Sequence, residues 1–363
     1  MQILFDSQIF NHQKIGGVSR YNVELIKGLR QNGVKTILPV LLSNNKYLLN
    51  SEYFPFVSSF FSEKDFKLRN KIIGRVNRTF TDYYFARKNF DIFHPTYYER
   101  TFLSEKRLGK KPLVITVHDM INEYYGEDCL DVIAIKKELI LRADKVIAIT
   151  ENTKKDILKY IDVDANKIEV VYHGANDLIE EQKPITFNNR PFILFVGARS
   201  GYKNFSNFIK AFAILANQNK DIDVVCTGKK FTKDEISYFK ELKIENRISQ
   251  IFATDAELTY LYKNCCLFIF PSLYEGFGLP ILESMSCGAP TLLSNSSCFP
   301  EIAGDSAIYF DGTCADSILD TISKVLTDDS LKTELRIKGY KRVKGFTWEK
   351  TAQKTLSLYK ELM

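Results

Sequence analysis

The chain has 363 residues, 45% apolar and 26% charged, the profile of a globular protein long enough for about two domains. No apolar run approaches the ~18 residues of a membrane-spanning helix. Seven cysteines without a Cys-x-x-Cys pair, and only four histidines, argue against a disulfide framework or a metal cluster, so no metal is expected. The net charge of +6 is uneven, because residues 1–111 hold 19 Lys/Arg against 9 Asp/Glu.

Residues 2–5 read as a first strand with no basic stretch before it, so no signal peptide and a cytoplasmic chain are expected. A loop leads to Gly16-Gly17. A helix over 18–30 follows, with Val18, Tyr21, Leu25 and Leu29 at helical spacing. Gly33 stops it, and 35–40 is a second strand. This strand, Gly-rich turn, helix and strand make a Rossmann-like opening. The dinucleotide fingerprint Gly-x-Gly-x-x-Gly is missing, which disfavours an NAD enzyme. The glycines either let backbone amides approach a phosphate or sugar, or only form a turn.

Residues 43–90 are rich in aromatics, with Lys64, Lys67, Arg69, Lys71, Arg75 and Arg78 interleaved. Phe61, Leu68, Ile72, Val76 and Phe80 are expected to share one helix face. Such a segment either docks on an anionic membrane surface or is an ordinary helix with a solvated basic face. Nucleic acid is disfavoured, since no recognition motif accompanies the charge.

A short strand at 92–95 leads to Tyr97 and Tyr98. The apolar strand 113–117 ends on His118-Asp119, a candidate site feature by its position. A helix to 142, a strand at 145–149, a helix capped by Thr150 and a strand at 168–171 complete the first half. Residues 177–190 are polar, contain Pro184, and read as a linker.

Beyond it the pattern restarts. Strand 192–196 leads into Gly197-Ala-Arg-Ser-Gly-Tyr-Lys-Asn204 and an apolar helix from 205. Strands at 222–226, 248–252, 267–270, 291–293 and 307–309 alternate with helices. Strand–helix alternation twice over predicts two doubly wound α/β domains. Residues 345–348 read as a hinge into a C-terminal helix.

The most informative stretch is 271–283, Pro-Ser-Leu-Tyr-Glu-Gly-Phe-Gly-Leu-Pro-Ile-Leu-Glu. It follows an apolar strand, so Glu275 lies on a loop beyond a strand's carboxyl end. Gly276, Gly278 and Pro280 permit a turn and a helix start, and Glu283 lies one to two turns along. In open parallel sheets ligands bind at that edge. Two carboxylates with helix-start amides between them suit a ligand with several hydroxyls and an anionic group. A nucleotide sugar is such a ligand.

Over nearly its whole length the chain resembles the retaining GT-B glycosyltransferases of family four. The resemblance is carried by Gly16-Gly17, Thr116-Val117-His118-Asp119, Ala143 through Thr150, Phe195-Val196-Gly197 through Lys203-Asn204, the Glu275 to Glu283 element, and Phe346-Thr347-Trp348-Glu349. In one departure Ala198 follows Gly197 where many members have Arg, and the arginine comes one place later, at Arg199.

The resemblance implies an α/β GT-B fold of two facing Rossmann-like domains with a cleft between them. They would comprise residues 1–180, rejoined by a C-terminal helix at about 348–363, and 185–345. It implies a donor site of Gly16, Gly17, Arg199, Lys203, Glu275, Gly276, Phe277, Gly278, Leu279 and Glu283. Within it Glu275 takes the donor sugar's hydroxyls and Glu283 the ribose hydroxyls. His118, Arg199, Lys203 and Glu275 would act in catalysis, and Arg20, Tyr21, Tyr97 and Tyr98 would meet the acceptor. Arg199 and Lys203 would stabilise the leaving diphosphate without a metal or other cofactor. Retention would proceed by front-face attack, although paired carboxylates also permit Glu275 to be read as a nucleophile.

The implied partners are a nucleotide sugar, with GDP-mannose expected, a lipid-linked saccharide acceptor, and peripheral contact with the inner membrane leaflet. The competing readings are a relative that acts on a nucleotide sugar without a glycan acceptor, and a non-catalytic binding subunit.

Overall fold

The computed structural model describes residues 1–62, 66, 68–126, 129–175, 184–185, 190–218 and 221–363. Most of the expected linker over 177–190, and Lys64 and Lys67 of the basic segment, lie outside the described residues. The chain forms two compact units, residues 1–174 with 348–363, and residues 175–347.

The first unit carries strands β1 (Gln2–Leu4), β2 (Lys35–Ile37), β3 (Ile92–Phe93), β4 (Val114–Val117), β5 (Lys145–Ala148) and β6 (Ile168–Val170). They pair in parallel in the orders β2-β1-β3 and β4-β5-β6. A parallel bridge from Phe93 to Leu113 joins the two sets, with Phe93 N donating to Pro112 O at 2.9 Å. Every side chain of β4 is buried, which is why its sequence is a continuous apolar run rather than an alternating one. The Gly17–Gln31 helix buries Tyr21, Leu25 and Leu29 and packs on the Trp348–Lys360 helix. At Gly28 an added Cβ would stand 2.5 Å from the Ala352 Cβ, so glycine in mid-helix serves close helix–helix approach.

The helix of the basic segment runs Arg69–Arg87 and turns a different face inward from the expected one. Arg69, Ile73, Asn77, Thr81 and Phe85 are buried. Leu68, Ile72 and Phe80 are 57%, 40% and 39% exposed, and Phe61 lies outside the helix. The cause is hydrogen bonding. Asn77 accepts from Leu41 N and Leu42 N at 3.0 and 3.1 Å and donates to Leu42 O at 2.8 Å. Turning Asn77 outward would leave those loop groups without these partners.

The second unit carries β7 (Phe192–Val196), β8 (Asp223–Thr227), β9 (Ile248–Ile251), β10 (Leu267–Phe270), β11 (Thr291–Ser294) and β12 (Ile308–Phe310). All pair in parallel in the order β12-β11-β10-β7-β8-β9. Counted from β7, this is the 3-2-1-4-5-6 order of nucleotide-binding sheets. The order reverses between β7 and β10. Phe195, Phe205, Phe208 and Phe212 form part of a continuous core that reaches Ile318 and Ile322 of the Ala315–Thr327 helix. The segment expected to be a hinge is paired in this unit: Ala175 N donates to Phe346 O at 2.9 Å, and the buried Phe346 ring meets Phe277 at 6.1 Å.

Candidate active site

The loops after β7 and β10 leave the sheet side by side at the switch point, and they carry the second unit's predicted residues. Lys203, on a short turn after β7, places Nζ 2.6 Å from Glu275 Oε1. Both side chains are largely buried, at 18% and 11% exposed. Asn204 adopts left-handed φ of 57° and its Nδ2 donates to Pro271 O and Gly312 O at 3.0 and 2.7 Å. It therefore ties the two loops and the one after β12 together.

Past Glu275 the chain enters the Leu279–Ser286 helix with Gly278 as its cap, at φ 83°, and Pro in the first turn. A Cβ on Gly278 would lie 2.8 Å from Ile281 Cδ1. Only glycine meets both the backbone angle and the space. The helix start directs backbone amides towards the sheet edge, where anions are stabilised. Glu283 stands in the second turn and accepts from Tyr262 Oη at 3.4 Å. Phe277 is buried.

Sequence reasoning missed Ser297 and Cys298. Ser297 Oγ accepts from Glu275 N at 3.2 Å and donates to Glu275 O at 2.7 Å. Cys298 Sγ donates to the same carbonyl at 3.2 Å. The main chain of Glu275 is thus clamped from the loop after β11. A Ser-Ser-Cys run has no chemistry that marks it in advance.

Arg199 departs from expectation. Its Nε donates to Glu235 Oε1 at 2.7 Å, and its Nη2 to Glu235 Oε2 at 3.3 Å and Lys230 O at 3.1 Å. The guanidinium also lies 4.8 Å from the Phe231 ring centre, and the side chain is 6% exposed. Glu235 is the third residue of a capping box that opens the Lys233–Glu241 helix. Burial raises its carboxyl, but hydrogen bonds from Arg199 and Thr232 outweigh that and hold it below the ordinary range. Arg199 thus braces that helix here, as Lys203 is held by Glu275.

In the first unit His118 follows β4 and is 7% exposed. Its ring meets Tyr21 edge-on at 5.0 Å and His173 at 5.8 Å. Burial, followed by the charge of Lys136, pushes its pKa down to about 3, so the imidazole is neutral at physiological pH. Its Nδ1 is buried and has no hydrogen-bond partner among the described residues. Asp119 does not pair with it: Oδ1 accepts from Ile121 N at 3.1 Å.

A buried polar chain lies behind His118. Tyr21 Oη and His94 Nε2 both reach Thr116 Oγ1 at 2.9 Å, and His94 Nδ1 meets Tyr359 Oη. Tyr21 is fully buried. It belongs to this core network, which corrects its assignment to the acceptor.

Gly16 caps the Gly17–Gln31 helix in extended conformation. Gln13 folds over it and accepts from Ser19 N at 2.9 Å. One amide of the helix start is therefore already used within the protein. Arg20 lies over the Tyr47 ring at 5.4 Å. Tyr97 and Tyr98 stack at 4.6 Å with a 37° tilt, and Tyr98 Oη accepts His118 N at 3.3 Å. Lys136, also missed, is buried on Glu123 at 2.9 Å. Among the described residues no group of three or more His, Cys, Asp or Glu has a metal-binding arrangement.

Parallel sheets in both units, with a lysine and a Glu-x7-Glu loop at the second unit's switch point, define an α/β protein of the GT-B class. Two family sequence models meet end to end along the chain: "Glycosyltransferase Family 4" over residues 15–177 and "Glycosyl transferases group 1" over residues 177–342. Together the two matches span nearly the whole chain, which belongs to glycosyltransferase family 4.

Among curated relatives it is similar to O-antigen chain mannosyltransferase B of Escherichia coli, at 32% identity over 175 residues. That match takes in 47% of this chain and 46% of the relative, so it spans about half of either protein. Among solved structures, sucrose-phosphate synthase of Thermosynechococcus elongatus superposes with a TM-score of 0.74 at 18% identity, covering 99% of this chain and 98% of the other. HepE of Anabaena, solved with UDP and glucose, gives 0.73 at 16%, covering 99% and 100%. At these identities the structures speak for the fold.

Proposed function

We propose that the protein transfers a hexose, with retention, from a nucleotide diphosphate sugar to a lipid-linked or oligosaccharide acceptor in cell-surface polysaccharide synthesis. The observation that carries this reading is the Lys203–Glu275 pair at 2.6 Å, at the switch point of a nucleotide-binding sheet and just ahead of a glycine-capped helix. Sugar transfer separates charge: the anomeric carbon gains positive character while the diphosphate leaves as an anion. Lys203 and the amides at the Leu279–Ser286 helix start would meet that anion, and Glu275 would exchange its lysine for sugar hydroxyls. Glu283 would hold the ribose. With cation and helix start in place, the chemistry requires no metal.

The relative named as a mannosyltransferase favours mannose as the sugar, and GDP-mannose is the donor in this reading. Among the described residues no helix is long and apolar enough to cross a membrane. The exposed Leu68, Ile72 and Phe80, beside Lys71 and Arg75, support peripheral contact with an anionic bilayer.

A thermal-shift panel of GDP, UDP, ADP and their sugars tests the donor, since a ligand stabilises only the state it binds. GDP-mannose is expected to raise Tm most. Lys203→Ala and Glu275→Ala are each expected to lose transfer while remaining folded, with roughly 3–4 kcal/mol added to the barrier by analogy with lost oxyanion donors. Full activity in either folded variant would overturn the assignment.

A further inference from the structure

One buried ion pair of the first unit takes hold of the turn that carries His118. Lys136, on the Leu130–Arg142 helix, is 1% exposed, and Glu123, on the Ile121–Tyr125 helix, 5%; they meet at 2.9 Å. A buried ion pair is a weak stabilising device, because two apolar side chains of similar volume often serve as well. What apolar side chains cannot supply is direction, and here the ammonium is used directionally.

Besides Glu123, Lys136 Nζ donates to the main-chain carbonyl of Asp119 at 3.0 Å. It also stands 5.5 Å from the Tyr98 ring centre, within reach of a cation–π contact. The Oη of the same Tyr98 accepts from His118 N at 3.3 Å. The turn is therefore held at three points: the amide of His118 by Tyr98, the carbonyl of Asp119 by Lys136, and the helix that follows by Glu123. His118 Nδ1 has no hydrogen-bond partner among the described residues. With that nitrogen unbonded, the main chain on either side carries much of the task of placing the ring.

We propose that Lys136 is a positioning residue for His118. Its ammonium fixes the His118-Asp119 turn through Asp119 O, Tyr98 and Glu123, so that the imidazole is presented at one place and one angle. The proposal rests on the glycosyltransferase reading for what His118 does, and adds to it a residue that touches no substrate. It also accounts for a lysine kept in the interior, where its charge is costly.

The test uses the full chain, with GDP-mannose as donor and GDP release as the readout. Lys136→Met/Glu123→Gln removes both charges together and leaves no buried charge unpaired. It is expected to keep KM for GDP-mannose within about twofold and to lower kcat at least about tenfold, since a displacement of about 1 Å can cost about a hundredfold. His118→Ala is expected to lower kcat as well. Adding the pair of changes to His118→Ala should then cost little more, because residues that act through one another are not additive. A purely structural pair would multiply the two losses. Lys136→Arg, whose guanidinium can meet both Glu123 and Asp119 O, is expected to keep kcat within about threefold. Independently of turnover, amide hydrogen exchange at His118 is expected to quicken at least about tenfold in the double variant, while the amides of β4 keep their wild-type rates.

Wild-type kcat in the folded double variant would overturn the inference. So would losses that multiply with His118→Ala, or unchanged exchange at His118. Failure of the transferase reading looks different: the wild type then releases no nucleotide from any sugar of the thermal-shift panel, and exchange at His118 alone decides whether Lys136 holds the turn.

Discussion

At the scale of the residue, the fold can give two cations of one loop quite different partners. Lys203 and Arg199 illustrate this. Both stand in one eight-residue loop and both read from sequence as diphosphate ligands. The structure spends Arg199 on Glu235, Lys230 O and the Phe231 ring, while Lys203 is held by a carboxylate in the same loop cluster. Nothing in the spacing could separate them, because the competitor is 36 residues away.

Gly278 was legible, since a glycine between a strand and a Pro-started helix announces a turn. Its backbone angle makes the prediction sharper. Gly278→Ala must take φ near 83° and push Ile281 Cδ1 from 2.8 Å. A loss of about 1–3 kcal/mol is expected from a residue held in that region, read as a lower Tm. Nucleotide-sugar affinity should fall with it, because the same turn sets the helix start. Unchanged Tm would show that the turn relaxes freely.

At the scale of the element, the strands were nearly all readable and one helix face was not. Buried parallel strands advertise themselves as apolar runs, so β4, β5, β7, β8 and β10 follow from sequence alone. The Arg69–Arg87 helix fails by the same logic. Pattern reading puts apolar residues inward, but Asn77 and its bonds to Leu41 and Leu42 set the rotation.

The Leu130–Arg142 helix shows a second blind spot. Lys136 is 1% exposed and bonds to Glu123 Oε2 at 2.9 Å and Asp119 O at 3.0 Å. It also stands 5.5 Å from the Tyr98 ring centre. In sequence it is one of two adjacent lysines, indistinguishable from a solvated charge. Lys136→Met should destabilise the protein by about 3–5 kcal/mol, because Glu123 is left as a buried charge without its partner. A paired Lys136→Met/Glu123→Gln change should recover much of that in a denaturant titration. If the single variant costs under about 1 kcal/mol, a value typical of exposed pairs, the bridge is ornamental to stability.

At the scale of the whole molecule, the two units differ in how they respond to acid. All four histidines, His12, His94, His118 and His173, lie in the first unit. Burial pushes His94 and His118 from 6.5 down to about 3, and His173 moves well down for the same reason. Between those limits the unfolded chain binds protons that the folded unit refuses, so stability falls as pH drops below 6.5.

Asp6 opposes this. Burial outweighs its hydrogen bonds from Thr96 and Gln8 and raises it from 3.8 to about 6. Its folded form takes up a proton first, so it stabilises increasingly as pH falls from about 6 towards 4. At about 1.4 kcal/mol per pH unit for each group, His94 and His118 together cost on the order of 4 kcal/mol at pH 5, and Asp6 returns on the order of 1. The histidines therefore win, and only in the first unit.

Trp348, the single tryptophan, reports on that unit, since its ring packs 5.8 Å from His173 and 6.4 Å from Tyr21. Thermal unfolding followed by Trp348 fluorescence should shift to markedly lower temperature between pH 7 and pH 5. The circular-dichroism signal, drawn from both units, should broaden or split as the first unit melts early. His94→Gln should reduce the acid shift. If both probes move together and that variant leaves the shift intact, the acid response belongs to the chain as a whole and not to buried histidines.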